Sequence, residues 1–273
     1  MELTGTYFSP KCISNLSHPE MQSGITIRAH KSRARIINIR SPQLPPEYRI
    51  ITAEDLGERN TVNIHGCPVP VFAENEVQYL GEPLGMIVGP DPLLLQDLAD
   101  QTQVTLEELP PVFDREDPET RSVVFEKTIQ QGRTSSAIKR AHQLVQGVYR
   151  TGLQEHNYLE PLGAYVVPGS ANLITVYTPC TDIFLVRRVL ASCCGLEEKS
   201  IIVEGCFPDD HLDGKLWYPA IIAAQAAAAA IRIQKPVRVL FSHLEDNNFT
   251  PKRSPATIRI DSALDDKGKV TAI

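Results

Sequence analysis

The sequence predicts an α/β fold of the mixed α+β kind, and three stretches carry that expectation. Residues 25–39 alternate apolar with polar positions, the period of a strand with one face buried. Residues 77–112 read as strand, strand, helix, strand. The stretch "YPAIIAAQAAAAAIRIQKP" at 218–236 is apolar on nearly every side, as a helix enclosed by other layers must be.

In order, Ile25, Ile27 and Ala29, then Ile37 and Ile39, place two period-two strands, with the polar "HKSRAR" between them. A proline-rich connection leads to a short strand at Tyr48–Thr52. Another strand falls near Val77–Tyr79, and Gly-Glu-Pro-Leu-Gly at 81–85 reads as a hairpin connection to a strand at Met86–Val88. That glycine pair lacks a phosphate-loop pattern. Asp91-Pro92 opens a helix, because aspartate accepts orphan amides and proline at the first position loses no partner. Leu93, Leu94, Leu95 and Leu98 supply its buried stripe, it ends near Thr102, and "VTLEELPPV" is a further strand. Residues 114–136 are polar and aperiodic, which suggests an interdomain connection. The expected organisation is a first domain at 1–113, a connecting segment at 114–145 and a second domain at 146–273.

A short helix is expected at Ser135–Gln143, capped by Ser135 or Ser136. Strands return from Gln146 in "GVYRTGLQEHNYL", "GAYVVPG" and "LITVYTP". The helix "TDIFLVRRVLASCCG" starts on Thr181 or Asp182 and stops on Gly195. "SIIVEG" precedes the alanine-rich helix, and "PVRVLFS" follows it as a strand. "ATIRIDSALDDKGKVTAI" is a hairpin around Asp-Asp-Lys-Gly. Its last arm is either a plain edge strand or one that further polypeptide completes.

Lys plus Arg number 27 against 33 Asp plus Glu, a net charge of −6, so no basic field invites nucleic acid or anionic lipid. No apolar run reaches the roughly 18 residues of a membrane span, and the start shows no signal-peptide pattern. The cysteines at 12, 67, 180, 193, 194 and 206 form no C-x-x-C pair, so neither a zinc nor a disulfide framework is indicated. They read as free thiols of a cytoplasmic protein. Cys193 and Cys194 sit at a helix C-terminus, the wrong end of the dipole to favour a thiolate.

His156 and Glu160 lie four apart in extended surroundings, and serve either as an acid–base pair or as a buried structural pair. Asp209, Asp210, His211 and Asp213 read as a solvated acidic loop, with divalent-cation ligation the other reading. Trp217 reads as a core anchor of the following helix rather than a substrate platform. Lys252-Arg253 is a solvated basic pair unless it meets a carboxylate. Neither a catalytic residue nor a metal site is assigned.

Several stretches, taken together, resemble one family. "PVPVFAENEVQYLGEPLGMIVGPDPLLLQDLADQTQVTLEELPPVFD" resembles the α/β-hammerhead domain of the xanthine dehydrogenase/aldehyde oxidase family of molybdenum hydroxylases. "GVYRTGLQEHNYLEPLGAYVVP", above all "QEHNYLEP" at 154–161, is similar to the opening of that family's molybdopterin-binding region. "LITVYTP", "VRRVLASCCGLEEKSIIVEG", "KPVRVLFSHLEDNNFTPKRSPATIRI" and "DDKGKVTAI" follow in the family's order, and the likeness runs from Gly5-Thr6-Tyr7 onward. The resemblance implies a molybdenum–molybdopterin cofactor. It also implies hydroxylation of purines, aldehydes or N-heterocycles with oxygen from water, and electron exit through iron–sulfur clusters and often flavin.

Within "VEGCFPDDHLDGKLW", Gly205, Phe207, Gly214 and Lys215 are the remaining frame of the family's glycine-rich cofactor-binding loop. Between them stand Pro208, which fixes φ and removes a donor, and three aspartates that would face an anionic group. Leu216 stands where the family has a substrate-binding glutamate, and Pro179 or Cys180 where it has a glutamine. The family's catalytic glutamate lies in its later half. The resemblance therefore implies the N-terminal part of a molybdenum hydroxylase large subunit, completed by its second half and by iron–sulfur or flavin subunits, in an oligomer. The alternative is a catalytically silent or truncated homologue with a structural or assembly role.

Overall fold

The computed structural model describes residues 12–113, 123–206 and 213–273, the last beginning with the backbone alone at Asp213. Its contacts divide the chain into two units, Met1–Pro111 with His156–Pro251 and Val112–Glu155 with Lys252–Ile273. Along the chain run β1 (Gln22–Arg28), β2 (Ala34–Arg40), β3 (Arg49–Thr52), α1 (Ala53–Leu56), β4 (Thr61–Ile64), β5 (Cys67–Pro70), β6 (Glu76–Val77), β7 (Pro83–Gly89), α2 (Pro92–Asp100) and β8 (Gln103–Glu108). They are followed by α3 (Thr134–Lys139), β9 (Gln143–Arg150), β10 (Gly163–Pro168), β11 (Ile174–Thr178), α4 (Ile183–Cys194), β12 (Ile201–Gly205), α5 (Tyr218–Ile233), β13 (Val237–Leu240), α6 (His243–Phe249), β14 (Thr257–Leu264) and β15 (Val270–Ala272). The fold is thus mixed α/β, as expected.

In the first unit a seven-stranded sheet has the order β12-β11-β10-β13-β1-β7-β3. Its centre joins β1 to β13 in parallel, so the sheet takes strands from both sides of residues 114–145. One face packs against α4 and α5 over a large apolar core. The alanines from Ala220 to Ala230 lie almost wholly inside, because their small side chains let the helix approach the strands closely. The other face meets α2 and the small sheet β6-β2-β8 around Ile27, Leu84, Ile87, Leu95 and Leu98.

Local chemistry sets the helix ends. The Asp91 carboxylate accepts from the Leu93 amide at 2.9 Å, and that of Asp182 from the Leu185 amide at 2.8 Å. Gly195 closes α4 at φ +66, left-handed backbone that glycine adopts without a Cβ penalty.

Three expectations need correction. Leu93 is 81% exposed and Leu94 only partly buried, so the stripe of α2 is Leu95 and Leu98, three apart on one face. β6 and β7 belong to different sheets, so residues 78–82 cross between sheets rather than closing a hairpin. β7 already begins at Pro83, opposite a register shift at Ile27/Arg28, where a residue without an amide proton is tolerated. The short helix α3 stops at Lys139 and has no side-chain cap, since Gln143 already pairs in β9.

In the second unit β9 and β15 flank β14. The hairpin around Asp265–Lys269 forms as expected, with the Asp265 carboxylate accepting from the amides of Lys267 and Lys269 at 2.9 Å each. Lys252 meets a carboxylate, Glu155, at 2.6 Å. Among the described residues no helix is long and apolar enough to cross a membrane.

Candidate functional site

His156–Pro161 of "QEHNYLEP", the turn Asp213–Lys215 and helix α6 converge in the first unit. α6 is set by a capping box. The Ser242 hydroxyl accepts from the Glu245 amide at 3.1 Å, and Glu245 accepts from the Ser242 amide at 3.0 Å. This places Asp246, which is buried. Its carboxylate accepts from the Tyr158 hydroxyl at 2.7 Å and from the Leu162 amide at 3.0 Å. Tyr158 in turn supports the expected loop frame. The Lys215 ammonium lies 4.8 Å from the Tyr158 ring centroid, and Lys215 is fully buried. A Cβ added at Gly214 would stand 2.5 Å from Tyr158 Cε1 and 3.0 Å from the His156 ring. Gly214 is therefore the residue that lets the turn close onto the motif.

Of the expected frame, Gly205 ends β12, while Gly214 and Lys215 are brought together on Tyr158. Phe207 lies outside the described residues, as do Pro208, Asp209, Asp210, His211 and Leu212 and the side chain of Asp213. His156 and Glu160 serve different neighbours: the imidazole lies against Gly214, and Glu160 Oε1 accepts from the Ile13 amide at 2.9 Å. Cys180 and Cys206 are buried, and burial pushes both thiols up to about 12. Burial thus disfavours the thiolate form at both positions. A hydrogen bond with Cys194 and burial push the Cys193 thiol up as well.

Beyond Lys215 the chain turns into a cleft of about 300 Å³. Val69, Pro70, Trp217, Tyr218 and Phe249 give it mostly apolar walls. Trp217 does two things at once: it packs against the core, and it lines the cleft edge-on to Tyr218 with ring centroids 5.4 Å apart. Behind the wall, the Arg28 guanidinium lies 4.8 Å from the Phe241 ring centroid and 4.7 Å from that of Phe249. It donates to the Gly81 carbonyl at 3.2 Å and stands 3.7 Å from Glu245. Sequence reasoning missed this cluster, because the residues lie far apart along the chain.

Glu82 also lines the cleft. It is buried, and its carboxylate accepts from the Gln78 amide. Burial pushes its pKa above the usual carboxylate value, opposed by backbone hydrogen bonds from Gln78 and Tyr79. A raised folded-state pKa means that the folded protein holds this proton more tightly than the unfolded chain does. The associated stabilisation is present at low pH and is lost as pH rises through the folded value. Glu82→Gln stays neutral throughout. Its stability relative to the parent should therefore improve between pH 4 and pH 8, as urea unfolding at each pH would show. A constant difference would mean that Glu82 is not desolvated.

A family model described as a molybdopterin cofactor-binding domain matches residues 115–273. The chain is 29% identical to xanthine dehydrogenase of Blastobotrys adeninivorans over 92% of its own length and 18% of that protein's. It is 25% identical to aldehyde oxidase 2 of Rattus norvegicus, over 90% and 19% respectively. Among solved structures it resembles reconstituted CO dehydrogenase from Oligotropha carboxidovorans, with a TM-score of 0.81 and 19% identity over 96% of this chain and 36% of that one. The aldehyde oxidoreductase from Desulfovibrio gigas gives 0.78 and 21%, over 93% and 30%. The chain belongs to the xanthine dehydrogenase/aldehyde oxidase family and carries that family's molybdopterin cofactor-binding domain. It spans less than a fifth of the length of these two relatives.

The cofactor this family implies carries oxyanionic groups, and beside Gly214 the described side chains leave no open space for it. The space beside Gly214 is filled by Tyr158 and His156, and the Lys215 ammonium is enclosed on Tyr158. Burial raises the thiol pKa of Cys180 and Cys206, and Leu216, half-exposed, is apolar. These residues fix the shape of the turn.

Proposed function

We propose that this chain is the N-terminal part of a xanthine dehydrogenase/aldehyde oxidase-like molybdenum hydroxylase large subunit. On this reading residues 1–113 are its α/β-hammerhead domain, 114–145 a connecting segment and 146–273 the first portion of the molybdopterin-binding domain. A further polypeptide completes the site for hydroxylation of purines, aldehydes or N-heterocycles. Iron–sulfur and flavin subunits carry the electrons, within a cytoplasmic oligomer.

The observation that carries the reading is the lock of Asp246, Tyr158, Gly214 and Lys215, which fixes the turn leading into the cleft. The turn it fixes runs on into Trp217 and Tyr218, which line the cleft, and on this reading the cofactor contacts fall to the frame of Gly205, Phe207, Gly214 and Lys215 and to the added polypeptide. The chain's own part is to shape that wall and to keep water from its apolar surface; no reaction step is assigned to its side chains. The buried Cys180 and apolar Leu216 favour the second reading, a catalytically silent homologue with a structural or assembly role.

Molybdenum content separates the two. The chain is purified from a molybdopterin-producing host, alone and together with a polypeptide matching the rest of its relatives' subunit. The first reading expects stoichiometric molybdenum only in the complex. A complex without molybdenum supports the structural role, and stoichiometric molybdenum in the chain alone overturns the need for a partner.

A further inference from the structure

The three-stranded sheet of the second unit has two unlike faces. Tyr149 pairs with Ile258, Gly147 with Ile260 and Val145 with Ser262, so these side chains share one face. The opposite face carries the charged positions, with Gln146 opposite Asp261, joined by a hydrogen bond of 2.9 Å, and Val148 opposite Arg259, and ends at Leu144 opposite the buried Ala263. The first face carries no charge between Tyr149 and Val145. On it Val145 is 46% exposed, Tyr149 58%, Ile258 46% and Ile260 37%. The Tyr149 ring lies over Gly147, where an added Cβ would be 2.9 Å from it, so the apolar surface is continuous across the missing side chain. An alternation that confines charge to one face leaves the other suited to burial.

Two features select the occupant. The four side chains offer on the order of a few hundred Å², well short of the roughly 800 Å² per partner of a standard stable interface. A second copy docked on this face alone would be weak. Among the described strands, β9 pairs only with β14, so its other edge has main-chain donors and acceptors to offer. A ligand that gains from both is an extended polypeptide that adds to the edge and lays aliphatic side chains over the face. The relatives carry far more chain than the portion matched here.

We infer that this face and the β9 edge form the docking surface for polypeptide of the molybdenum subunit beyond the matched portion, an inference that rests on the proposed function. It is tested in the full chain with p-benzoylphenylalanine, a photoreactive residue, in place of Tyr149. The chain is co-expressed with the polypeptide matching the rest of the subunit, irradiated, and its cross-linked peptides are identified by mass spectrometry.

Cross-links to that polypeptide are expected. Their yield should fall about tenfold in Ile258→Asp, where a carboxylate would have to be desolvated. It should fall less in Ile258→Thr, which keeps a strand-forming side chain, and should not change in Gln146→Ala on the other face. Cross-links to a second copy overturn the inference, as does an unchanged yield in Ile258→Asp. So does a molybdenum-loaded complex with no cross-link at position 149, which leaves the functional reading standing. Failure of the two polypeptides to form any complex removes the functional reading itself.

Discussion

Asp246→Ala is expected to lower the free energy of unfolding by about 3 kcal/mol, because each buried donor left without an acceptor costs about 1–3 kcal/mol. The Tyr158 hydroxyl and the Leu162 amide both lose this acceptor. Water cannot replace the carboxylate freely, because Asp246 and Tyr158 are both buried and Leu162 is fully so. The Thr250 hydroxyl, which donates to the main-chain carbonyl of Asp246 at 2.6 Å, keeps its acceptor, so α6 itself should survive. The damage should pass instead to the turn resting on Tyr158. Hydrogen exchange at residues 213–217 should quicken along with the loss of stability. Tyr158→Phe removes one hydroxyl and no acceptor from the Leu162 amide, and should cost only about 1 kcal/mol. Asp246→Asn keeps one acceptor and should fall between the two. Equal unfolding midpoints for Asp246→Ala and the parent would show that this carboxylate does not hold the turn.

What could be read from the sequence was whatever depends on neighbours along the chain. Asp91-Pro92, Asp182 and Gly195 mark helix ends by local chemistry, and the structure places those ends there. Ser242 followed three residues later by Glu245 is an equally local capping box. The sequence reading nonetheless passes from the strand ending at 242 to the hairpin at 256 and places no helix there. β4 and β5, joined at His65-Gly66, were also omitted. Pairing was the harder part. The 81–85 segment has the composition of a hairpin turn, but β7 finds β1 and β3 while β6 finds β2, and composition does not encode the partner. The site divides in the same way. Gly214 and Lys215 stand out by type and spacing, whereas Tyr158 and Asp246, which enclose them, are 88 residues apart, and only the folded sheet brings them together.

Gly81→Ala combines two independent penalties and should destabilise the first unit by about 2–5 kcal/mol, the sum of left-handed backbone strain and over-packing. Gly81 sits at φ +86, and an added Cβ would stand 2.1 Å from Phe249 Cδ1. The ring cannot yield cheaply, since its face also holds the Arg28 guanidinium, which in turn donates to the Gly81 carbonyl. A shift of Phe249 would therefore disturb Arg28, and with it the cleft wall that Phe249 lines. Gly66→Ala supplies the internal comparison. Its φ is +89 and no atom lies within 4 Å of an added Cβ, so it bears the backbone penalty alone, about 1–2 kcal/mol. In the double variant Gly81→Ala/Phe249→Leu the smaller side chain should relieve the steric part and leave the backbone part. The two changes would then couple by more than about 0.5 kcal/mol, as contacting residues do. Urea unfolding of the parent, Gly81→Ala, Phe249→Leu and the double variant measures every side of this cycle. If Gly81→Ala costs no more than Gly66→Ala, Phe249 does not press on the glycine, and the cleft wall is looser than the distances imply.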